Sequence, residues 1–108
     1  MDRPEFEARV EYEEGVGRVV LAGDIDLTAV PEVFTCIQEA NRTGTGRLIV
    51  VMDDVTLIDS SGIGVFARLA AADVEIEIRG AKGVVRRALD ISGVALSPNV
   101  HVAGDQTA

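Results

Sequence analysis

The chain predicts an α/β fold: a mixed, mostly parallel sheet of about five strands with an N-terminal antiparallel hairpin and three main helices. Three features carry that reading. Extended apolar runs take turns with segments whose apolar residues recur every three or four positions, in the order strand, strand, helix, strand, helix, strand, helix, strand. A short turn joins the first two runs, which favours a hairpin. Helical segments separate the later ones, the length that a crossover between parallel strands requires.

Phe6, Ala8, Val10 and Tyr12 alternate with charged residues over Pro4 to Tyr12, so this is a half-exposed strand with its apolar residues on one face and charges that suit a sheet edge. Glu13-Glu14-Gly15-Val16-Gly17 turns the chain into a more buried strand, Arg18 to Ala22. Gly23-Asp24-Ile25-Asp26-Leu27-Thr28 leads into a helix marked by Val30, Val33, Phe34, Ile37 and Ala40. Proline is tolerated only in a first helical turn, so Pro31 sets the start near Ala29 or Val30. Asn41 to Gly46, rich in turn residues and glycine, ends it.

Arg47 to Met52 has no polar alternation, as a central strand covered on both faces would read, and Asp53-Asp54-Val55-Thr56 reads as a polar link. A short second helix runs from Ser60 through Ile63, Phe66, Ala67 and Ala70 to about Ala72. Val74 to Arg79 alternates strictly, a strand with one exposed face. Gly80 to Gly83 turns into a third helix, Val84 to about Ile91, with Arg86 and Arg87 on its outer side and Ser92-Gly93 as its stop. A last short strand is expected around Val100 to Val102, and a frayed polar tail from Gly104.

The 108 residues make one domain spanning 1–108, with an ordered core over about 4–103. Aromatic residues are 4% of the chain, so Val, Ile, Leu and Ala must fill that core. A net charge of −8 disfavours nucleic acid and anionic membranes as partners and favours a basic protein surface. There is no apolar run of spanning length and no charged-then-apolar start, so a cytoplasmic location is expected. Cys36 and His101 are single, which rules out an internal disulfide and leaves no thiolate or imidazole cluster for a metal. No cofactor is implied.

The chemistry concentrates in Leu57-Ile58-Asp59-Ser60-Ser61-Gly62-Ile63-Gly64-Val65-Phe66, which reads as a helix N-terminus. Asp59 or Ser60 can serve as the N-cap, and a phosphate carried by a hydroxyl here would find backbone amides waiting. Asp26 is a natural cap for the first helix, whereas Asp24 is better placed to meet a basic partner residue. Asp53 and Asp54 follow the wrong strands for an Mg²⁺ pocket, and Lys82, the only lysine, lies in a turn. Gly-x-Ser-x-Gly is missing and the lone histidine is at the far end, so no catalysis is expected. Cys36 reads as a small packing residue.

Three stretches together resemble the STAS domain, the fold of bacterial anti-sigma factor antagonists and of the cytoplasmic tail of sulfate transporters. They are Leu21-Ala22-Gly23-Asp24-Ile25-Asp26, Ile58-Asp59-Ser60-Ser61-Gly62-Ile63-Gly64 and Leu89-Asp90-Ile91-Ser92-Gly93-Val94, in the family's order. The resemblance implies that Ser60 is phosphorylated by an anti-sigma factor that is itself a serine kinase. The unmodified protein would bind that kinase and free a sigma factor for transcription, the phosphorylated form would not, and a serine phosphatase would reset this partner switching. The implied partner surface is Asp24, Asp26, Asp59, Ser60, Ser61, Gly62 and Gly64, with Ser61 and the glycines letting the phosphate-donor loop approach. The alternative is a non-phosphorylated STAS scaffold or small-ligand-binding module in a sensory assembly, in which Asp59 and Ser60 only cap the helix.

Overall fold

The computed structural model describes residues 6–103, so Pro4, Glu5 and the tail from Gly104 lie outside the described residues. The elements follow in the predicted order: β1 Glu7–Glu13, β2 Val16–Ile25, α1 Val30–Ala40, β3 Arg47–Ile58, α2 Ser60–Ala71, β4 Glu75–Arg79, α3 Gly83–Ser92 and β5 Val100–Val102, with 3-10 turns at Asn41–Thr43 and Val94–Leu96. The sheet order is β1-β2-β3-β4-β5. β1 and β2 are antiparallel and every later pair is parallel. Glu14 and Gly15, at φ 52° and 83°, form the two-residue loop between the paired Glu13 and Val16. Two left-handed residues match the twist of the strands they join.

Because each parallel strand is laid beside its predecessor and the crossovers share one hand, the helices collect on a single face. Val33 and Ile37 of α1, Val65, Phe66 and Leu69 of α2, and Val85 and Leu89 of α3 form one core with Val19, Leu21, Leu48, Val50, Met52, Ile76 and Ile78 of the sheet. Gly17 is what lets the end of α1 settle there, since a Cβ on it would meet the Ala40 carbonyl oxygen at 2.2 Å.

Several expectations need correction. The central strand is not covered by helices on both faces. Ile49, only 4% exposed, lies outside the main core. Its register neighbours on the open face are Arg18 and Glu77. There Arg18 contacts Glu11 at 3.3 Å and Glu13 at 3.0 Å, while Arg79 contacts Glu13 at 3.1 Å and Glu77 at 2.8 Å. Arginine stems thus supply the apolar cover that a second helical layer would give. Tyr12 shares its face of β1 with Ala8 and Val10, but at the hairpin end it is 54% exposed and stays outside the core. Ala67 is exposed, and the buried face of α2 is Gly62, Val65, Phe66 and Leu69. At 12 residues α2 is the longest helix, not a short one. Its last turn is held by Asn99, whose side-chain amide donates to the carbonyls of Ala70 (2.9 Å) and Val74 (2.8 Å).

The largest correction concerns β3. Asp53-Asp54-Val55-Thr56 is strand, not a link. Val20 pairs with Val51 but Ala22 with Asp54, and Gly23 pairs with Val55 but Asp24 with Leu57. Each shift places one extra residue in β3, as a bulge does. The buried residues Met52, Val55 and Ile58 therefore recur every third position, which hides the two-residue period of a strand.

Glu13 holds its proton less tightly than an ordinary glutamate, chiefly through hydrogen bonds from Arg79 and then Arg18. Glu11 is lowered likewise, first by its hydrogen bond from Arg9. A carboxylate whose folded pKa lies below its unfolded value adds stability above the unfolded value and loses it as pH falls through the folded one. Glu13 is solvent-accessible, so salt screens part of the effect. Thermal melts of Glu13→Gln should show a lower Tm than wild type at pH 7, and a shallower fall between about pH 5 and pH 3. High salt should narrow the gap. An acid slope identical to that of wild type would remove Glu13 from the account.

Candidate functional site

β2 and β3 end side by side, with Ile25 in register with Ile58. The Asp59 amide donates to the Ile25 carbonyl at 3.1 Å, which ties together the two places where a strand gives way to a helix. Asp24, Asp26, Asp59 and Ser60 are brought to this one rim of the sheet. Asp24 belongs to β2 itself rather than to the loop, and its carboxylate accepts a hydrogen bond from the Thr56 hydroxyl on β3.

Asp59 is the cap of α2. Its extended backbone (φ −104°, ψ −172°) aims one carboxylate oxygen at the first turn, where it accepts from the amides of Ser61 at 2.9 Å and Gly62 at 3.1 Å. A single side chain thus satisfies two amides that have no partner within the helix. Ser60 is left as the first helical residue, exposed, its hydroxyl engaged in no hydrogen bond among the described residues. Ser61 is half-buried. Two of the amides expected to receive a phosphate are therefore already taken by Asp59, so a phosphate on Ser60 would stand beside a carboxylate that competes for the first turn.

Asp26 does cap, but one turn ahead of α1. Its Oδ1 accepts from the Thr28 amide at 3.1 Å, the Thr28 hydroxyl at 2.7 Å and the Ala29 amide at 3.3 Å. Backbone bonds from Ala29 to the Asp26 carbonyl (3.0 Å) and from Val30 to the Leu27 carbonyl (3.3 Å) complete the turn, while Ala29, the residue at the helix boundary, offers no side-chain cap. Farther along, Arg68 of α2 lies over the Phe34 ring of α1, 5.8 Å from its centroid, and braces the two helices behind the rim.

The two glycines of the motif differ. A Cβ on Gly62 would lie 2.7 Å from Ile25 Cγ2, 2.8 Å from Ile58 Cγ1 and 3.0 Å from the Ile25 carbonyl oxygen. The close approach that Gly62 permits is internal: it seats the first turn of α2 on the ends of β2 and β3. Gly64 is half-buried and a Cβ there would meet nothing within 4 Å.

Two rim residues escaped the sequence reading, Leu27 (69% exposed) and Leu57 (45% exposed). The signal for Leu27 was its place outside the three-and-four pattern that begins at Val30; for Leu57 it was the certainty that Ile58, its neighbour in an extended strand, takes the opposite face. Asp53 lies against Gly80, off the rim, and among the described residues no group of three or more His, Cys, Asp or Glu side chains is arranged to hold a metal ion. Cys36 is half-buried against the core, where burial first and Glu32 and Glu39 second push its thiol pKa up. His101, on β5, stands 3.2 Å from Glu75.

Comparison with known proteins places the fold in a family. The family pattern described as STAS domain matches residues 7–103. An anti-sigma-B factor antagonist of Staphylococcus aureus is 29% identical over 80 residues, which cover 70% of this chain and 74% of that protein. Among solved structures, an anti-sigma factor antagonist from Mycobacterium paratuberculosis superposes with a TM-score of 0.78 at 18% identity, covering 90% of this chain and 86% of its own. The anti-sigma factor antagonist SpoIIAA in its unphosphorylated form gives 0.69 at 21% identity, covering 92% and 90%. At such identities the structures establish a shared fold.

Chemical denaturation separates the roles of the glycines. Gly62→Ala should destabilise by about 1–3 kcal/mol, because the new methyl meets a backbone carbonyl as well as two isoleucines. Gly64→Ala should cost nothing and gain up to about 1 kcal/mol from helix propensity. Equal effects at the two positions would refute the assignment of Gly62 to internal packing.

Proposed function

The chain belongs to the STAS domain family, and on that premise we propose that it is an anti-sigma factor antagonist switched by phosphorylation of Ser60. The unphosphorylated form binds a serine-kinase anti-sigma factor and so releases a sigma factor; the phosphorylated form does not bind, and a serine phosphatase restores it. One observation carries the reading. Ser60 offers an exposed, unengaged hydroxyl at the start of α2 because Asp59, not the serine, does the capping. The antagonists among its relatives support the same reading.

In this switch the protein is substrate rather than catalyst. The Ser60 hydroxyl oxygen attacks the γ-phosphorus of the kinase's ATP, its proton passes to a base of the kinase, and ADP leaves. The product carries about −1.5 to −2 further charges and three more acceptor oxygens. Asp59 already holds the Ser61 and Gly62 amides, so the new charge finds those two donors taken and a carboxylate beside it. The phosphoserine must then be stripped of water to stay in the interface, facing the phosphates of the kinase's nucleotide. That favours release without any refolding of the antagonist. Asp24, Asp59 and Gly64 belong to the proposed contact surface, Ser61 lies at its margin, and Asp26 and Gly62 shape it from within.

With a serine-kinase anti-sigma factor and ATP, wild type and Ser61→Ala should gain the mass of one phosphate, and Ser60→Ala none. Ser60→Asp should keep the circular dichroism and melting curve of wild type while losing the kinase. Modification that survives Ser60→Ala would overturn the site, and a Ser60→Asp variant that melts early would overturn the claim that the switch acts at the interface.

A further inference from the structure

Six large apolar side chains are exposed among the described residues, and two of them, Leu27 and Leu57, stand on the Ser60 rim. Single exposed leucines are ordinary; a leucine held out by a hydrogen-bonded turn is less so. Leu27 is the residue around which Asp26 organises its loop. The Asp26 carboxylate accepts from Thr28 and Ala29 on one side of it, and the carbonyl of Leu27 itself accepts from Val30. The backbone is thereby fixed, yet the side chain is 69% exposed. Leu57 is in register with Asp24, whose carboxylate is tied to Thr56, so its strand end is held as well. Two apolar groups on supports held by hydrogen bonds, among the carboxylates of Asp24, Asp26 and Asp59, leave only side-chain rotamer freedom, and little backbone freedom, to be lost on burial.

We infer that Leu27, with Leu57, is the apolar anchor by which the serine-kinase anti-sigma factor docks on this rim, and that Asp26 is a positioning residue that holds Leu27 in place. The inference rests on the proposed function and specifies its partner: a kinase surface with an apolar pocket for Leu27, bordered by basic side chains that meet Asp24 and Asp59. Charge complementarity argues for that occupant, since a second copy of this acidic chain would set carboxylates against carboxylates. Ser60 is then the group that reacts, and the leucines supply the affinity that brings it to the nucleotide.

The test is a titration of a serine-kinase anti-sigma factor, loaded with ADP, against the full chain, paired with phosphorylation kinetics in ATP. Leu27→Ala should weaken binding by about tenfold or more, Leu57→Ala by less, with melting curves unchanged. In the kinetics Leu27→Ala should raise KM and leave kcat close to wild type, because the anchor does not touch the transferred phosphate. Asp26→Ala, which lets the turn loosen, should imitate Leu27→Ala. Asp26→Asn keeps the accepting oxygen, so it should recover most of the binding that Asp26→Ala loses. If wild type binds and Leu27→Ala and Leu57→Ala bind equally well, the anchor is wrong while the proposed function stands. If wild type is neither bound nor phosphorylated, both fall together.

Discussion

The capping of α2 by Asp59 is the interaction on which the rest of the site depends. One carboxylate oxygen takes the amides of Ser61 and Gly62, and the amide of the same residue reaches across to the carbonyl of Ile25. The first contact fixes where the helix begins and leaves the Ser60 hydroxyl out of the capping. The second locks that point to the neighbouring strand, and so to the loop organised by Asp26. Gly62 completes the junction by letting the helix rest on Ile25 and Ile58. Backbone, cap and packing thus agree on one geometry for the exposed hydroxyl.

The sheet presents that junction by an asymmetry of length. β3 has 12 residues and β4 only 5, paired with Arg47 to Val51, so the later part of β3 runs on beside β2 alone. The two bulges fall in this overhang, where the bulged strand can bend and twist more strongly. The opposite side of the sheet is closed by ion-paired arginines and glutamates rather than helices. The core thus draws on one face of the sheet, while the charged face stays wet.

Much of this was legible in the sequence because most elements obey a single period. α1 shows its three-and-four spacing with Pro31 at the entrance, and β4 alternates strictly. β3 was cut short because its bulges turn a two-residue repeat into a three-residue one, and Asp53, Asp54 and Thr56 then look like a loop. The choice of cap between Asp59 and Ser60 was closed to sequence reasoning, since both carry an acceptor at the right place and only backbone geometry decides. The inward role of Gly62 was hidden for a related reason: a glycine written in a motif does not say which neighbour stands where its side chain would be. Leu27 was overlooked because it belongs to neither pattern around it, which is also why it remains outside the core.

The strand order repeats the order of the chain. Each new strand therefore joins the edge most recently laid down, and none has to be inserted between two partners already in place. Such a topology can be assembled progressively during synthesis at the ribosome, the hairpin serving as a template to which successive helix-and-strand units are added. Ser60 opens the second of those units, at the start of α2, before β4 and β5 have been made.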